Sequence, residues 1–343
     1  MLNEKDFAMP AEWERHERTL IEWPVKASMV WPENYDEVCA GYAEVAKAIA
    51  AFEKVTMIVG KDTAADAEKL CGGAVEYLTI PHNDAWCRDN GPTFLRGRDR
   101  QLAGMNWQFN AWGGKYPHYE LDNQVAPAVL KQFSVPRFDS PLVLEGGSIH
   151  TDGEGTLLTT RECLLNPNRN PGLAQEEIEA ELKRRLKITK IIWLNKGLYG
   201  DETDGHVDNI ACFGKPGVII LQVCHDKGDP NYEITLENLE LLKNAADASG
   251  RKLSVIEIPQ PPARYYRGGR LTLSYLNFYL VNGGVILPVF GGDAAQSDRR
   301  AIETLQTVFP DRRIVPVDGT ALIKEGGNVH CITQQMPEGM HET

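Results

Sequence analysis

Apolar and polar positions alternate between two periods along this chain. Residues 44–59, "EVAKAIAAFEKVTMIV", space their apolar residues helically and then pass into a short β-branched run, which predicts a helix followed by a strand. The same order returns in "AQEEIEAELKRRLKITKIIWL" (174–194), "YEITLENLELLKNAADASGRKLSVIEI" (232–258) and "DRRAIETLQTVFPDRRIVPV" (298–317). A fifth, weaker helix is predicted in "QVAPAVLKQF" (124–133), where Pro127 stands near the start. After each strand comes a loop rich in Gly or Asn, and then another apolar strand. With Asp89, Ser148, Asp208, Asn277 and Asn328 as markers, these loops recur at intervals of 51 to 69 residues. Five α/β units, each too small to bury its own apolar face, predict units packed around a common axis. No linker or charge run divides them, so residues 1–343 are expected to form a single domain.

Such an axis brings equivalent loops to one central mouth. Two of them carry nearly the same phrase, "LVLEGGSIHTDGEG" (142–155) and "LIKEGGNVHCITQQ" (322–335), and only the second places a cysteine, Cys331, after the His. A cysteine is more often a buried, inert thiol, but a polar, Gly-flanked loop beside His330 makes Cys331 the candidate nucleophile. "GDETDGHVDN" (200–209) packs four acids and a histidine into ten residues. Read as an extended segment, it points His206 and Asp208 to one face, which suits proton transfer and grip on a cation. The plainer reading is an Asp- and Gly-rich turn. "NDAWCRDNGP" (83–92) offers Asp84, Trp86 and Asp89, with Arg88 as a possible surface ion-pair partner of Asp89, and "NAWGGKY" (110–116) offers Trp112. A structural tryptophan explains either ring taken singly, and a turn cap explains Glu145.

Composition narrows the chemistry. A formal net charge of −12 excludes a basic nucleic-acid or anionic-membrane surface and suits a small cation. The N-terminal twenty residues are too charged for a signal peptide. The most apolar stretch, residues 275–292, contains Gly-Gly and Pro and reads as two buried strands, not a membrane span. Seven scattered cysteines without a C-x-x-C pair fit neither a disulfide framework nor a zinc cage, and point to a reducing cytoplasm. His-x-Asp without a second well-spaced ligand predicts no metal. One thiol, one imidazole and several carboxylates fit acyl transfer poorly, because anions repel a developing oxyanion. They fit a planar cation whose fork of N–H groups carboxylates can grip, and so predict attack of sulfur on a guanidinium carbon.

At that point the chain resembles the agmatine deiminase family of guanidino-group-modifying enzymes. The motifs that carry the likeness are "MPAEWERHERTLIEWP" (9–24), "NDAWCRDNGPTF" (83–94), "FNAWGG" (109–114), "LEGGSIHTDGEGT" (144–156), "RECLLNPNRNPG" (161–172), "GLYGDETDGHVDN" (197–209) and "GGNVHCITQQMP" (326–337). The resemblance implies a five-bladed α/β propeller with ββαβ-type repeats, and hydrolysis of agmatine to N-carbamoylputrescine and ammonia without metal or cofactor. It implies Cys331 as nucleophile, His206 as general acid and then base, Asp89 and Asp208 as the clasp on the guanidinium, and Glu145 as support. Trp86, Trp112, Glu202 and Asp84 are the expected substrate-binding residues, and a homodimer or higher oligomer is expected. The chain departs from the family in a short "QPPARYY" (260–266) and in Asp204, where many agmatine enzymes carry Asn. Deimination of free, methylated or peptidyl arginine is the alternative within the fold. A non-catalytic propeller-like binding module is the alternative from another class.

Overall fold

The computed structural model describes residues 4–26, 28 and 33–340. Residues 1–3, 27, 29–32 and 341–343, which the single-domain reading and the reading of the charged N-terminus also cover, lie outside that description. Five sheets of like construction account for most of the strands. In each, a strand pairs antiparallel with the next, and a helix then carries the chain to a third strand that joins in parallel. The second blade runs Thr93–Gly97, Leu102–Gln108, helix Val125–Gln132 and Arg137–Val143, with Phe7–Ala8 added at its edge. The third runs Ile149–Thr151, Thr156–Thr160, helix Gln175–Leu186 and Lys190–Leu194. The fourth runs Ala211–Lys215, Val218–Val223, helix Asn231–Asn244 and Ser254–Pro259. The fifth runs Tyr279–Val281, Gly284–Val289, helix Ala295–Val308 and Arg313–Asp318.

The first blade is assembled from both ends of the chain. Thr333–Pro337 pairs antiparallel with His16–Glu22, which continues through helix Tyr35–Ala50 to Lys54–Val59 and then Glu76–Thr79. The result is a five-bladed α/β propeller: five units of the kind the repeated order of elements predicts, in the architecture the resemblance implies.

The helices form because their apolar residues lie on one face. Val38, Tyr42, Val45 and Ile49 recur at helical spacing, as do Ile178, Leu182 and Leu186, and all are buried. Each crossover helix packs into its own hydrophobic cluster with the strands it joins. Leu305 and Ala301 meet Val285 and Leu287, for example, and Leu239 and Leu242 meet Ile219 and Leu221. Five clusters replace a single core. The first two strands of a blade are buried almost throughout, whereas Ser254–Pro259 and Arg313–Asp318 are largely half-buried or exposed. That gradient orders the strands from axis to rim. Residues 275–292 hold the two strands expected of them, and no helix among the described residues is long and apolar enough to cross a membrane.

Every connection from one blade to the next therefore starts at a rim strand and ends at an axial one. These five connections are the Gly- and Asn-containing loops of the repeat.

Candidate active site

Each of the five connections delivers side chains to one buried centre. The first carries Trp86 and Asp89, the second Glu145, the third His206 and Asp208, the fourth Asn277, and the fifth Cys331. The Cys331 Sγ lies 3.1 Å from Asn277 Nδ2 and 3.6 Å from Asp208 Oδ2. Asn277 also accepts the backbone N–H groups of His330 (3.0 Å) and Cys331 (3.3 Å), so one amide fixes both the turn and its sulfur. Asn277 was legible as a repeat marker, but its role was not.

Glycine is what lets the loops converge. A Cβ on Gly147 would stand 2.6 Å from His206 Nδ1 and 2.9 Å from both Asp208 Oδ2 and Asp89 Oδ1. Three polar atoms thus surround one point that only a missing side chain leaves free. At Gly327 a Cβ would come within 2.2 Å of the Trp86 ring. The two E-G-G phrases serve the same end in two blades.

Asp89 accepts the Gly147 N–H at 3.0 Å and the Trp112 indole N–H at 2.9 Å. His206 stands between two carboxylates, Nδ1 at 3.8 Å from Asp89 and Nε2 at 3.8 Å from Glu145, and neither ring nitrogen has a hydrogen-bond partner. Contrary to the extended segment expected at 206–208, Val207–Asn209 is a 3-10 turn. Side chains two apart converge here through the turn and not through strand alternation. The same Asp208 oxygen, Oδ2, opens a chain of buried charges: it accepts from His330 Nδ1 at 2.8 Å, and His330 Nε2 lies 3.0 Å from Glu12. Glu12 in turn pairs with Arg88 at 3.4 Å. Arg88 is buried, so the surface ion pair considered for it with Asp89 is not formed.

Glu145 accepts Arg169 Nε at 2.7 Å, and Arg169 reaches on to Asp204 and to the Thr203 carbonyl. Asp204 also receives Lys115 and Asn168. Its φ of +62° is a left-handed conformation that Asp and Asn tolerate best, which rationalises their exchange at this position. Only Asp adds the charge that balances Arg169.

A cavity of about 370 Å³ opens onto this centre, lined by Asp89, Cys331, Trp86, Trp112, Tyr116, Thr203, Glu202 and Glu325, with Gly326 and Gly327. Of the substrate-binding candidates, Trp86, Trp112 and Glu202 are on the wall of this cavity. Asp84 is not. It accepts Ser28 Oγ at 3.1 Å and lines a neighbouring cavity with Asp122, on the other side of Trp112. The chain bends at Asn83–Asp84, and Asp84 and Trp86, offered from one loop, line different cavities. Glu12 and Arg169 escaped the sequence reading because they lie 318 and 24 residues from His330 and Glu145, which they touch; Glu325 stood inside the second E-G-G phrase and was not singled out there.

The charges are unevenly held. Burial, with Asp208 and Asp89 nearby, pushes the Cys331 thiol well above its usual range. Burial also lifts Asp89 to about 6, against the pull of His206. Burial opposes a charged His206, but Asp89, Cys163 and Glu145 outweigh it and hold the ring well above the usual histidine value. Asp208 and Glu145 remain below the ordinary carboxylate range in spite of burial, the first because of His330 and the second because of His206 and Arg169. At rest the site is a protonated thiol beside a charged imidazole and carboxylates.

The sequence profile of the Porphyromonas-type peptidyl-arginine deiminase family matches residues 8–337. The chain belongs to that family. Among relatives of the deiminase, a protein of Legionella pneumophila is 49% identical over 97% of this chain and 95% of its own length. The agmatine deiminase of Pseudomonas aeruginosa is 44% identical, over 96% of this chain and 95% of its own. The solved structure of the agmatine deiminase of Enterococcus faecalis superposes with a TM-score of 0.92 at 35% identity, covering 98% of this chain and 97% of that one.

Proposed function

We propose that this deiminase hydrolyses agmatine to N-carbamoylputrescine and ammonia, with Cys331 as nucleophile and His206 as the proton carrier. The observation that carries the reading is the Cys331 sulfur 3.6 Å from Asp208 Oδ2, in a cavity that Asp89 also lines. A guanidinium gripped by Asp89 and Asp208 presents its carbon to the sulfur. The bound cation lowers the thiol's pKa, and the thiolate adds to the carbon. His206, charged at rest, gives its proton to the departing ammonia and leaves a thiouronium adduct. It then takes a proton from water, whose oxygen attacks the same carbon, and the C–S bond breaks to release the urea-type product. Glu145, held by Arg169, supports the charged imidazole.

The wall opposite the sulfur supports an amine tail. Tyr116, Glu202 and Glu325 line it, and the Tyr116 hydroxyl donates to Glu202 at 2.9 Å. No Arg or Lys is among the described lining residues, so an α-carboxylate finds no cation among them. The test is ammonia release from agmatine and free arginine side by side. Turnover is expected with agmatine, with arginine at least about a hundredfold poorer, the effect of stranding one charge in an acidic pocket. Cys331→Ala is expected to lose a thousandfold or more, on the order seen for other nucleophiles. Release of ammonia by Cys331→Ala at the wild-type rate overturns the assignment.

A further inference from the structure

We propose that Glu145, Cys163 and His206 form a binding site for a thiophilic divalent cation, of the Zn²⁺ and Cd²⁺ class, whose occupancy switches the enzyme off. One donor atom from each of the three lies within 4.8 Å of the others. The Cys163 Sγ stands 4.0 Å from Glu145 Oε2, and His206 Nε2 stands 3.8 Å from the same oxygen. Donors around a tetrahedral Zn²⁺ sit roughly 3.5 Å apart, given bond lengths of about 2.0–2.3 Å. Side-chain movements of about an ångström therefore close the site.

A second, independent feature points to a ligand. His206 is completely buried, yet both of its nitrogens lack hydrogen-bond partners. Buried imidazoles ordinarily find a partner for each nitrogen. Here Nδ1 faces Asp89 on the substrate side, and Nε2 faces the carboxylate and the thiol behind it.

The surroundings hold the three donors in place. Thr160 Oγ1 accepts the Cys163 N–H at 3.2 Å and donates to the Gly205 carbonyl at 2.6 Å, which ties the cysteine's short helix to the loop that ends in His206. Arg169 occupies only Glu145 Oε1, and leaves Oε2 for a cation. Its own charge is met by Asp204, so it orients the ligand without cancelling the site. Glu202, Glu325 and Asp89 give the neighbouring cavity, on the other side of His206, a negative charge that draws cations to it.

Binding replaces the Cys163 thiol proton with a metal–sulfur bond and the Nε2 proton of the charged His206 with a metal–nitrogen bond, and both protons leave to solvent. The imidazole becomes a ligand through Nε2 and can no longer alternate between proton donor and acceptor. The site itself stands on geometry; that filling it stops turnover rests on His206 being the proton carrier.

The experiment titrates metal-free enzyme with Cd²⁺ alone and follows the ultraviolet charge-transfer band of a cadmium–thiolate bond. Wild type and Cys331→Ser are expected to show the band at one equivalent. Cys163→Ser is expected to lose it and to bind at least about tenfold more weakly, and its remaining turnover resists Zn²⁺ that halves the wild-type rate. A band that survives in Cys163→Ser and vanishes in Cys331→Ser places the cation on the nucleophile and overturns the proposal. So does the lack of any band in wild type or in Cys331→Ser, a result that needs no folded Cys163 variant. Because absorbance is read without turnover, a failure to hydrolyse agmatine would sink the proposed function and leave the cation site standing.

Discussion

At the scale of the residue, the site stores its reactivity in a thiol that is kept protonated. Burial and two carboxylates raise the pKa of Cys331, so the free enzyme is expected to resist alkylation at neutral pH, and the proposed reaction makes the thiol reactive as the cation arrives. Iodoacetamide is expected to inactivate ligand-free enzyme roughly tenfold faster for each pH unit between 7 and 9. Equal rates at pH 6 and pH 9 would mean a resting thiolate. Asp89 gives the complementary limb. Its carboxyl, lifted to about 6, is anionic above that pH and neutral below it. The grip on the guanidinium is thus lost as pH falls through about 6, and kcat/KM for agmatine is expected to fall roughly tenfold per unit there. Asp89→Asn should be nearly inactive and should lack that limb; a variant with the wild-type profile would assign the limb to another group.

The loops are where chemistry becomes legible as sequence. A nucleophile, an imidazole and paired carboxylates must be particular residue types, and the glycines beside them must be glycines, so Cys331, His206, Asp89, Asp208 and Glu145 stood out before any coordinate. What supports them did not. Glu12 lies 318 residues from His330 in sequence and touches it, and Asn277 reaches Cys331 across 54. No local pattern encodes such pairs, because the propeller closure creates them. Asp84 differs for the opposite reason: it was offered with Trp86 and Asp89 from one loop, and the bend at Asn83–Asp84 leaves it on a neighbouring cavity. Gly147 tests the convergence itself. Gly147→Ala drives a methyl to within 2.6 Å of His206 Nδ1 and is expected to lower kcat at least about a hundredfold, the scale of a one-ångström misplacement. The urea midpoint should move little by comparison. Activity near wild type would show that the loop has room the geometry does not indicate.

Over the whole molecule, five separate hydrophobic clusters are joined into one object by the pairing of Thr333–Pro337 with His16–Glu22. We propose on that basis that the chain unfolds as a single domain. The buried pairs Glu12–His330 and Glu12–Arg88 lie at the same seam. Burial works against a charged Glu12, but His330, Arg88 and His150 hold its pKa well below the ordinary range. A depressed carboxylate pKa stabilises the fold above the unfolded value and loses that contribution as pH falls through the folded one. Stability is therefore expected to decline steeply on acidification below about 4. Glu12→Gln should remove part of that dependence and cost about 3–5 kcal/mol at neutral pH, since it leaves Arg88 and His330 without their counter-charge. Denaturant titrations monitored by two probes test both points: coincident curves fit one domain, and separate ones would divide the chain.

The placement of Cys331, the proposed nucleophile, at that seam has a temporal consequence. Cys331 immediately precedes the strand that closes the ring, so a ribosome delivers the sulfur only after the loops bearing both aspartates and the histidine have emerged. A nascent chain stalled before this point carries those loops but neither the sulfur nor the strand that draws them together. Catalytic competence is acquired in the same stroke as circular closure, and turnover in a translation mixture reports completed propellers alone.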